Sequence, residues 1–162
     1  MHRVRQFAAH LAARVAPEET ELAHRVLPAR AFVLFEAMPV ADRRHALDVA
    51  ERLLVGGGDD PDLLAAALMH DAAKGYRMRL WHRVAGVLLE AFAPGVLGRL
   101  ALDEPGSWRY PFHLYLHHEA LSAEAALAAG CSPRVAAFIR GEVATETDAP
   151  LLAALSAADE AS

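Results

Sequence analysis

Residues 61–75, PDLLAAALMHDAAKG, hold the most informative feature of the chain, the dipeptide His70-Asp71. Pro61 suits the first turn of a helix, and the apolar run after it predicts a helix over residues 61–73. A charged pair at the end of such a run needs a partner, because an ionised carboxylate is costly to bury alone. Two interpretations stay open here. Either Asp71 is solvated at a helix end with His70 satisfied in the core, or both side chains bind a metal ion.

Helical signals run along the rest of the chain as well. Ala and Leu dominate, which favours helix, and residues 41–55, ADRRHALDVAERLLV, show the apolar stripe of an amphipathic helix. Further helices are predicted at residues 4–15, 17–27, 79–92, 94–102, 110–129 and 133–143, between Pro28 and Pro39, and from Pro150 onwards. The sequence therefore predicts an all-α protein, with one compact helical domain over residues 41–162 and a helical appendage over residues 1–40.

Composition excludes several classes of protein. The 162 residues carry a net charge of −5, which is a poor match for a nucleic-acid duplex. Cys131 is the only cysteine, so an internal disulfide and a thiolate metal cluster are both excluded, and any metal must be held by histidines and carboxylates. A secretion signal and an apolar run of about 18 residues are both missing from the sequence. We therefore expect no membrane span and a cytoplasmic enzyme or binding module.

Two distant residues complete a possible ligand set. His45 lies near the apolar stripe of the helix over residues 41–55, and an antiparallel partner helix joined by a short loop brings His70 to a similar depth. Asp159 lies in LLAALSAADEA, where an acid again follows small apolar residues. Imidazole and carboxylate donors together suit a borderline divalent ion.

The stretches RRHALDVAERLL, LLAAALMHDAAKG and LLAALSAADEA resemble the HD-domain superfamily of metal-dependent phosphohydrolases. The resemblance covers roughly residues 41–162. Its specific part is His-Asp-x-x-Lys-Gly, which is similar to the family signature His-Asp-x-Gly-Lys. The resemblance implies a compact HD-type helical bundle. It also implies one divalent metal ion (Mn, Fe, Mg, Co or Ni) held by His45, His70, Asp71 and Asp159.

The same resemblance implies roles for other residues. Asp71 would orient a water molecule, and Lys74 would bind phosphate, although a cation that stabilises a helix C-terminus is an equally good interpretation of Lys74. In HLYLHHEALSAEAALAAG, His118 stands where the family has a histidine that helps to hold a second ion. His117 or His118 would bind substrate phosphate or act as a general acid.

One departure from the family favours a single metal ion. Gly141 and Glu142, in FIRGEVATE, occupy the place of a further histidine that members with two ions supply. Glu142 is interpreted as a surface residue rather than as a substitute ligand.

Residues 108–115 contain the densest aromatic cluster, with Arg109 among them. This group either walls a pocket for a nucleobase, with Arg109 binding substrate, or packs in the core, and core packing is the commoner case. We therefore predict a phosphohydrolase for a nucleotide or another small phosphorylated metabolite. The alternative is a non-catalytic sensor or interaction module that binds metal or nucleotide. The apolar segment AFVLFEAM, residues 31–38, is a candidate interface for a homo-oligomer.

Overall fold

Helices make up all the regular structure of the residues that the computed structural model describes, which are residue 15, residues 19–75 and residues 77–162. The all-α prediction is confirmed for this part of the chain. The helix predicted at residues 4–15 lies almost wholly outside it. The α-helices are α1 (Thr20–Val26), α2 (Ala29–Glu36), α3 (Val40–Val55), α4 (Pro61–Met69), α5 (Leu80–Phe92), α6 (Pro94–Leu100), α7 (Tyr110–Ala128), α8 (Pro133–Ile139) and α9 (Ala149–Ala161), with a 3-10 turn at Glu146–Asp148 before α9.

Helix α4 lies at the centre of the bundle. Every residue from Leu63 to Met69 is buried, and α4 contacts α1, α2, α3, α7, α8 and α9. A short helix that is apolar on every side can bury all its side chains only when other helices surround it. Both residues of the pair at its end, His70 and Asp71, are thereby carried into the interior of the protein.

Helices α1 and α2 belong to the predicted appendage and pack against α4. Their buried side chains join the same hydrophobic cluster as those of α3 and α4; they include Ala23, Ala31 and Phe35. That residues 41–162 form a domain of their own stays a prediction. Among the described helices, not one combines the length and the apolar content that crossing a membrane requires.

Local capping signals fix where two of the helices begin. Asp60 accepts hydrogen bonds from the backbone N–H groups of Asp62 and Leu63, both at 3.0 Å, and Ser132 caps α8 through the N–H of Val135 at 3.2 Å. A proline follows each cap in the first turn, where its missing N–H costs nothing. These two starts agree with the sequence prediction.

The ends of α4 and α8 come earlier than predicted. Helix α4 ends at Met69 rather than at residue 73, because the chain then tightens into turns and Ser122 Oγ accepts the N–H of Ala73 at 3.0 Å. Helix α8 ends at Ile139 rather than at residue 143. Gly141 adopts a φ of 71°, and the N–H of Glu142 returns to the carbonyl of Ala137 at 2.9 Å, closing a Schellman motif.

Helices α5 and α6 pack beside α7 rather than against α4. The close contact between α5 and α7 is made at Gly86, where a Cβ atom would lie 2.6 Å from the ring of Tyr115. The hydroxyl of that ring donates to Glu90 at 2.7 Å. Gly86 is therefore needed for space, since only a residue without a side chain fits between α5 and the Tyr115 ring.

Gly86→Ala should destabilise the protein by about 1–2 kcal/mol, because the methyl group displaces the Tyr115 ring. At an ordinary glycine inside a helix, the same substitution stabilises the protein by up to about 1 kcal/mol, because alanine has the higher helix propensity. Gly98→Ala in α6 is the matched control, because a Cβ at Gly98 meets no atom of the described residues within 4 Å. Urea unfolding measures both variants. Equal stability of the two variants would contradict the assigned role of Gly86.

Candidate metal centre

Three helices bring three of the predicted ligands together. His45 lies on α3 and His70 follows the last residue of α4, and their ring centroids are 5.3 Å apart. Asp159, in the last turns of α9, places Oδ1 at 2.8 Å from Nε2 of His45 and 3.4 Å from Nε2 of His70. One donor atom from each residue lies within 4.8 Å of the other two. His45 and His70 thus lie at a similar depth, as expected from the sequence, and Asp159 joins them although it is 114 residues from His45 in the chain.

Asp71 lies beside this group at the bottom of the site. Its side chain is 2% exposed, and Oδ1 lies 3.6 Å from Nε2 of His70 and 3.9 Å from Nε2 of His118. Lys74 Nζ lies 2.6 Å from Oδ1 and 2.7 Å from Oδ2, and it donates a hydrogen bond to Oδ2. A salt bridge to Lys74 therefore neutralises the buried carboxylate on one side, while Oδ1 receives no hydrogen bond from the described residues.

Lys74 is the only lysine in the sequence, and the other fifteen of its sixteen lysine and arginine residues are arginines. A lysine ammonium is a compact point charge, whereas a guanidinium is a broad planar fork. The small group fits against both oxygens of Asp71, one turn after His70. A count of residue types, which the sequence interpretation did not use, would have singled out this position.

The hydrogen bonds of the two partly buried imidazoles, His70 and His118, fix which nitrogen faces the carboxylates. Nδ1 of His70 lies 2.8 Å from the carbonyl of Ala67, and Nδ1 of His118 lies 3.0 Å from the carbonyl of Tyr115. A carbonyl can only accept, so both Nδ1 atoms carry hydrogen and both Nε2 atoms point into the site. Backbone carbonyls orient metal-binding histidines in the same way.

Electrostatics couple His70 to the two aspartates. Burial disfavours the charged imidazole, but the carboxylates of Asp71 and Asp159 outweigh it and raise the pKa of His70 to about 9. The pKa of Asp159 is lowered well below its usual range by His45 and His70 in spite of burial, and that of Asp71 by His70 and Lys74. The two carboxylates thus stabilise a positive charge that lies between them.

His118 is affected in the opposite direction. Burial and the nearby charge of Lys74 lower its pKa, so the ring is neutral near pH 7. A neutral His118 presents a lone pair on Nε2 and is suited to accept a proton rather than to donate one. To act as the general acid expected from the sequence, the ring would first have to take up a proton.

Ser122 is a site residue whose role sequence reasoning missed. It is fully buried on α7, one turn after His118, and its hydroxyl accepts the N–H of Ala73. This hydrogen bond attaches the turn that carries Asp71 to the helix that carries His118. The sequence feature that could have identified Ser122 is its position, a hydroxyl on a buried helix face four residues after a site histidine.

A cavity of about 130 Å³ opens next to the site. His70, Asp71, Lys74, His118 and Asp159 form its polar side; α8 and α9 form its apolar side through Phe138, Ile139, Leu152 and Leu155. A volume of this size holds a few water molecules, since each occupies about 30 Å³ of liquid. A larger cavity of about 800 Å³ lies between α3 and α9, away from the buried charges.

The structure does not bring every predicted residue to this cluster. His117 is exposed and packs beside His113 at 4.6 Å between ring centroids, on another side of α7. The guanidinium of Arg109 donates to the carbonyls of Leu100 and Arg99 at the end of α6. Glu142 is exposed in the turn after Gly141, as expected for a surface residue.

The aromatic cluster divides between core and surface. Phe112 is 3% exposed and receives the edges of Trp81 and Trp108, whereas Trp108 is 67% exposed. The described residues that line the site cavity include no aromatic side chain of residues 108–115. Packing therefore accounts for Phe112, and a nucleobase wall at this cavity is not formed by this cluster.

Comparison with known proteins gives no match to a family model, to a curated protein or to a solved structure. The chemistry of the site must therefore be argued from its own geometry.

Proposed function

We propose that the protein is an HD-type metal-dependent phosphohydrolase that cleaves a phosphate ester of a nucleotide or of another small phosphorylated metabolite. The observation that carries the proposal is a pair of buried atoms that have charged neighbours but lack hydrogen bonds. Nε2 of His70 and Oδ1 of Asp71 lie 3.6 Å apart, and neither forms a hydrogen bond with the described residues. Their charged neighbours are Lys74 Nζ, 2.6 Å from Oδ1, and Asp159 Oδ1, 3.4 Å from Nε2. Buried polar atoms are seldom left in this state unless a ligand completes them.

The chemistry of the donor set suits one divalent ion, and this is supported by three ligands whose donor atoms lie within 4.8 Å of one another, with Asp71 beside them. His45, His70, Asp71 and Asp159 would hold it, with two imidazole nitrogens and two carboxylates, a set suited to Mn²⁺, Fe²⁺, Mg²⁺, Co²⁺ or Ni²⁺. Such an ion, when bound, supplies a water molecule of lowered pKa and a Lewis acid for a phosphoryl oxygen. Thiolate ligands cannot contribute, since the only cysteine, Cys131, is buried in the hydrophobic core.

The surrounding residues have complementary tasks in this proposal. Lys74 lies at the entrance to Asp71, where its ammonium can bind a phosphate oxygen as well as the carboxylate. Neutral His118 faces the same carboxylate through Nε2 and can accept the proton of an attacking water molecule. Ser122 keeps Asp71 and His118 at this separation through the backbone of Ala73.

The small cavity limits which part of a substrate enters. A volume of about 130 Å³ is well below the several hundred cubic ångströms of a pocket that encloses a drug-sized ligand. We therefore place the phosphoryl group inside and the remainder of the substrate outside.

We also propose a cytoplasmic location, and an oligomer interface at residues 31–38, where Val33 is 62% exposed next to buried Phe35.

Metal content and turnover together test the function. Elemental analysis of the purified protein should find about one divalent ion per chain, and generic phosphate esters should be hydrolysed faster with added Mn²⁺ or Co²⁺. A nucleotide panel then identifies the leaving group. The proposal would be overturned if none of the five metals bound to the protein and none supported turnover.

Lys74→Met should separate metal binding from catalysis. Without the ammonium, Asp71 loses a competing cation, so we expect Mn²⁺ to bind about tenfold more tightly. Hydrolysis should fall by about a hundredfold, because the phosphate loses a positive partner in the transition state. Titration calorimetry and kcat/KM measure the two effects, and Lys74→Arg, which keeps the charge, is the control. Weaker metal binding in Lys74→Met would contradict the assigned competition.

The salt bridge of Lys74 also supports a second candidate function, a sensor that binds metal or nucleotide without turnover. Its ammonium lies against both oxygens of Asp71, a position that favours a closed, self-neutralised site. Tight nucleotide binding without hydrolysis in the metal-loaded protein would favour the sensor.

A further inference from the structure

Arg134, on α8, joins the beginnings of two helices. Its Nη1 donates to Oδ1 and Oδ2 of Asp60 at 2.9 and 2.8 Å, and its Nε and Nη2 donate to Oδ1 of Asp148 at 3.0 and 2.8 Å. Asp60 is the N-cap of α4, and Asp148 immediately precedes α9. Asp148 is fully buried and also accepts the backbone N–H of Thr145 at 3.0 Å. One guanidinium thus ties α4 and α9 together at one end.

The other ends of these helices carry candidate metal ligands. His70 comes ten residues after Asp60, and Asp159 comes eleven residues after Asp148. At 1.5 Å per residue, His70 lies about 15 Å along the helix from Asp60, and Asp159 lies about 16.5 Å along the helix from Asp148. The two helices therefore start at the same guanidinium, and their ligands lie at nearly the same distance along each helix. At that level, His70 Nε2 and Asp159 Oδ1 are 3.4 Å apart.

Helix α9 packs on α3 and α4 with few large side chains. Its sequence is rich in alanine; Leu155 and Ala158 are buried, and Leu151 and Leu152 are partly buried against the core. A contact made mainly by small side chains resists a change of tilt less than the large side chains of a deep core do. A tilt of about 4° around Asp148 would move Asp159 by roughly 1 Å, and an error of that size is enough to impair a ligand or catalytic geometry.

We propose that Arg134 is a positioning residue for the metal centre and that it sets the separation of His70 and Asp159 from the far ends of α4 and α9. Arg134, Asp60 and Asp148 together are called the clamp, and its geometry is the observation behind this inference. The expected effect on metal binding rests on the proposed function. Stability by itself explains the clamp poorly, because ion pairs that reach solvent contribute little, and the side chains of Arg134 and Asp60 are 30% and 26% exposed.

Arg134→Met tests the inference through metal affinity. We expect Co²⁺ to bind about 10- to 100-fold more weakly, because a misplacement of about 1 Å can cost up to about a hundredfold, and we expect its visible absorption spectrum to change. Val135→Ala, at the next position of α8, removes a fully buried side chain without touching the clamp and is the control for lost stability. It should keep the affinity within about twofold. Both titrations are made below the unfolding transition of either variant.

Arg134→Lys separates charge from geometry. A single ammonium cannot hold two carboxylates as the fork does, so part of the lost thermal stability should return while the Co²⁺ affinity stays low. Full recovery of affinity would show that charge alone matters and would overturn the positioning role.

A crystal structure of metal-free Arg134→Met gives a readout that does not require metal. The distance from His70 Nε2 to Asp159 Oδ1 should increase by roughly 1 Å. An unchanged distance would overturn the inference even if the wild type binds no metal. Wild-type protein that binds no metal, together with a lengthened distance in the variant, would instead overturn the proposed function and leave the clamp in place.

Discussion

Asp71→Asn is expected to weaken Mn²⁺ binding by at least about a hundredfold and to reduce metal-stimulated hydrolysis at least as much. The amide cannot supply the negative charge of a ligand, and it leaves His70 and Lys74 without their shared counter-charge. Titration calorimetry and phosphate release measure the two effects. This is the largest change that a single atom replacement should cause, because Asp71 contacts each of the other charged groups at the bottom of the site.

Two further variants separate this effect from charge and folding. Asp59→Asn removes the same charge from an exposed position outside the site and should leave metal binding unchanged. The double variant Asp71→Asn with Lys74→Met removes both members of the buried ion pair, so it should recover stability without recovering metal binding. Retained Mn²⁺ affinity in folded Asp71→Asn would remove Asp71 from the ligand set.

The metal-free protein is expected to lose roughly 3 kcal/mol of its free energy of unfolding as the pH rises from 6.5 to 9. His70 has a pKa of about 9 in the folded chain, against about 6.5 when unfolded. The folded state therefore binds more protons in this interval. The contribution is fully present below pH 6.5 and is lost as the pH passes the folded pKa. Urea unfolding at intervals of half a pH unit measures the slope.

The control variants assign the slope to one imidazole. His70→Gln should abolish it, whereas His24→Gln, at an exposed position on α1, should leave it intact. Saturating Mn²⁺ should flatten the profile, since a bound cation replaces the proton between the two carboxylates. A flat profile for the metal-free wild type would show that Asp71 and Asp159 do not hold His70 charged.

The parts of the structure that follow from local signals could be predicted from the sequence. Asp60-Pro61 and Ser132-Pro133 give the starts of α4 and α8, because caps involve residues two or three apart. The pairing of His45 with His70 needed only one short loop, because His45 comes ten residues before the end of α3 and His70 comes nine residues after the start of α4. Asp159 could be named from its apolar surroundings, but its contact with His45 depends on how α9 crosses α3.

The parts that depend on distant partners could not be predicted. Arg134 is one of several single arginines in the sequence, and its partners Asp60 and Asp148 are 74 and 14 residues away. Arg109 was assigned to the substrate because it precedes the site histidines, yet nine residues of helix separate it from His118, about 13 Å along α7. Closeness in sequence on a helix does not translate into closeness in space beyond one or two turns.

The buried salt bridge of Lys74 bears on the order of assembly. Asp71 and Asp159 carry two negative charges, and Lys74 with protonated His70 carries two positive ones, so the centre is already neutral before any ion arrives. Small metal-dependent domains such as zinc fingers stay unfolded until their ion binds. Here the polypeptide can fold first and load its ion afterwards, and under the proposed function its activity would follow the supply of metal in the cell rather than the history of its folding.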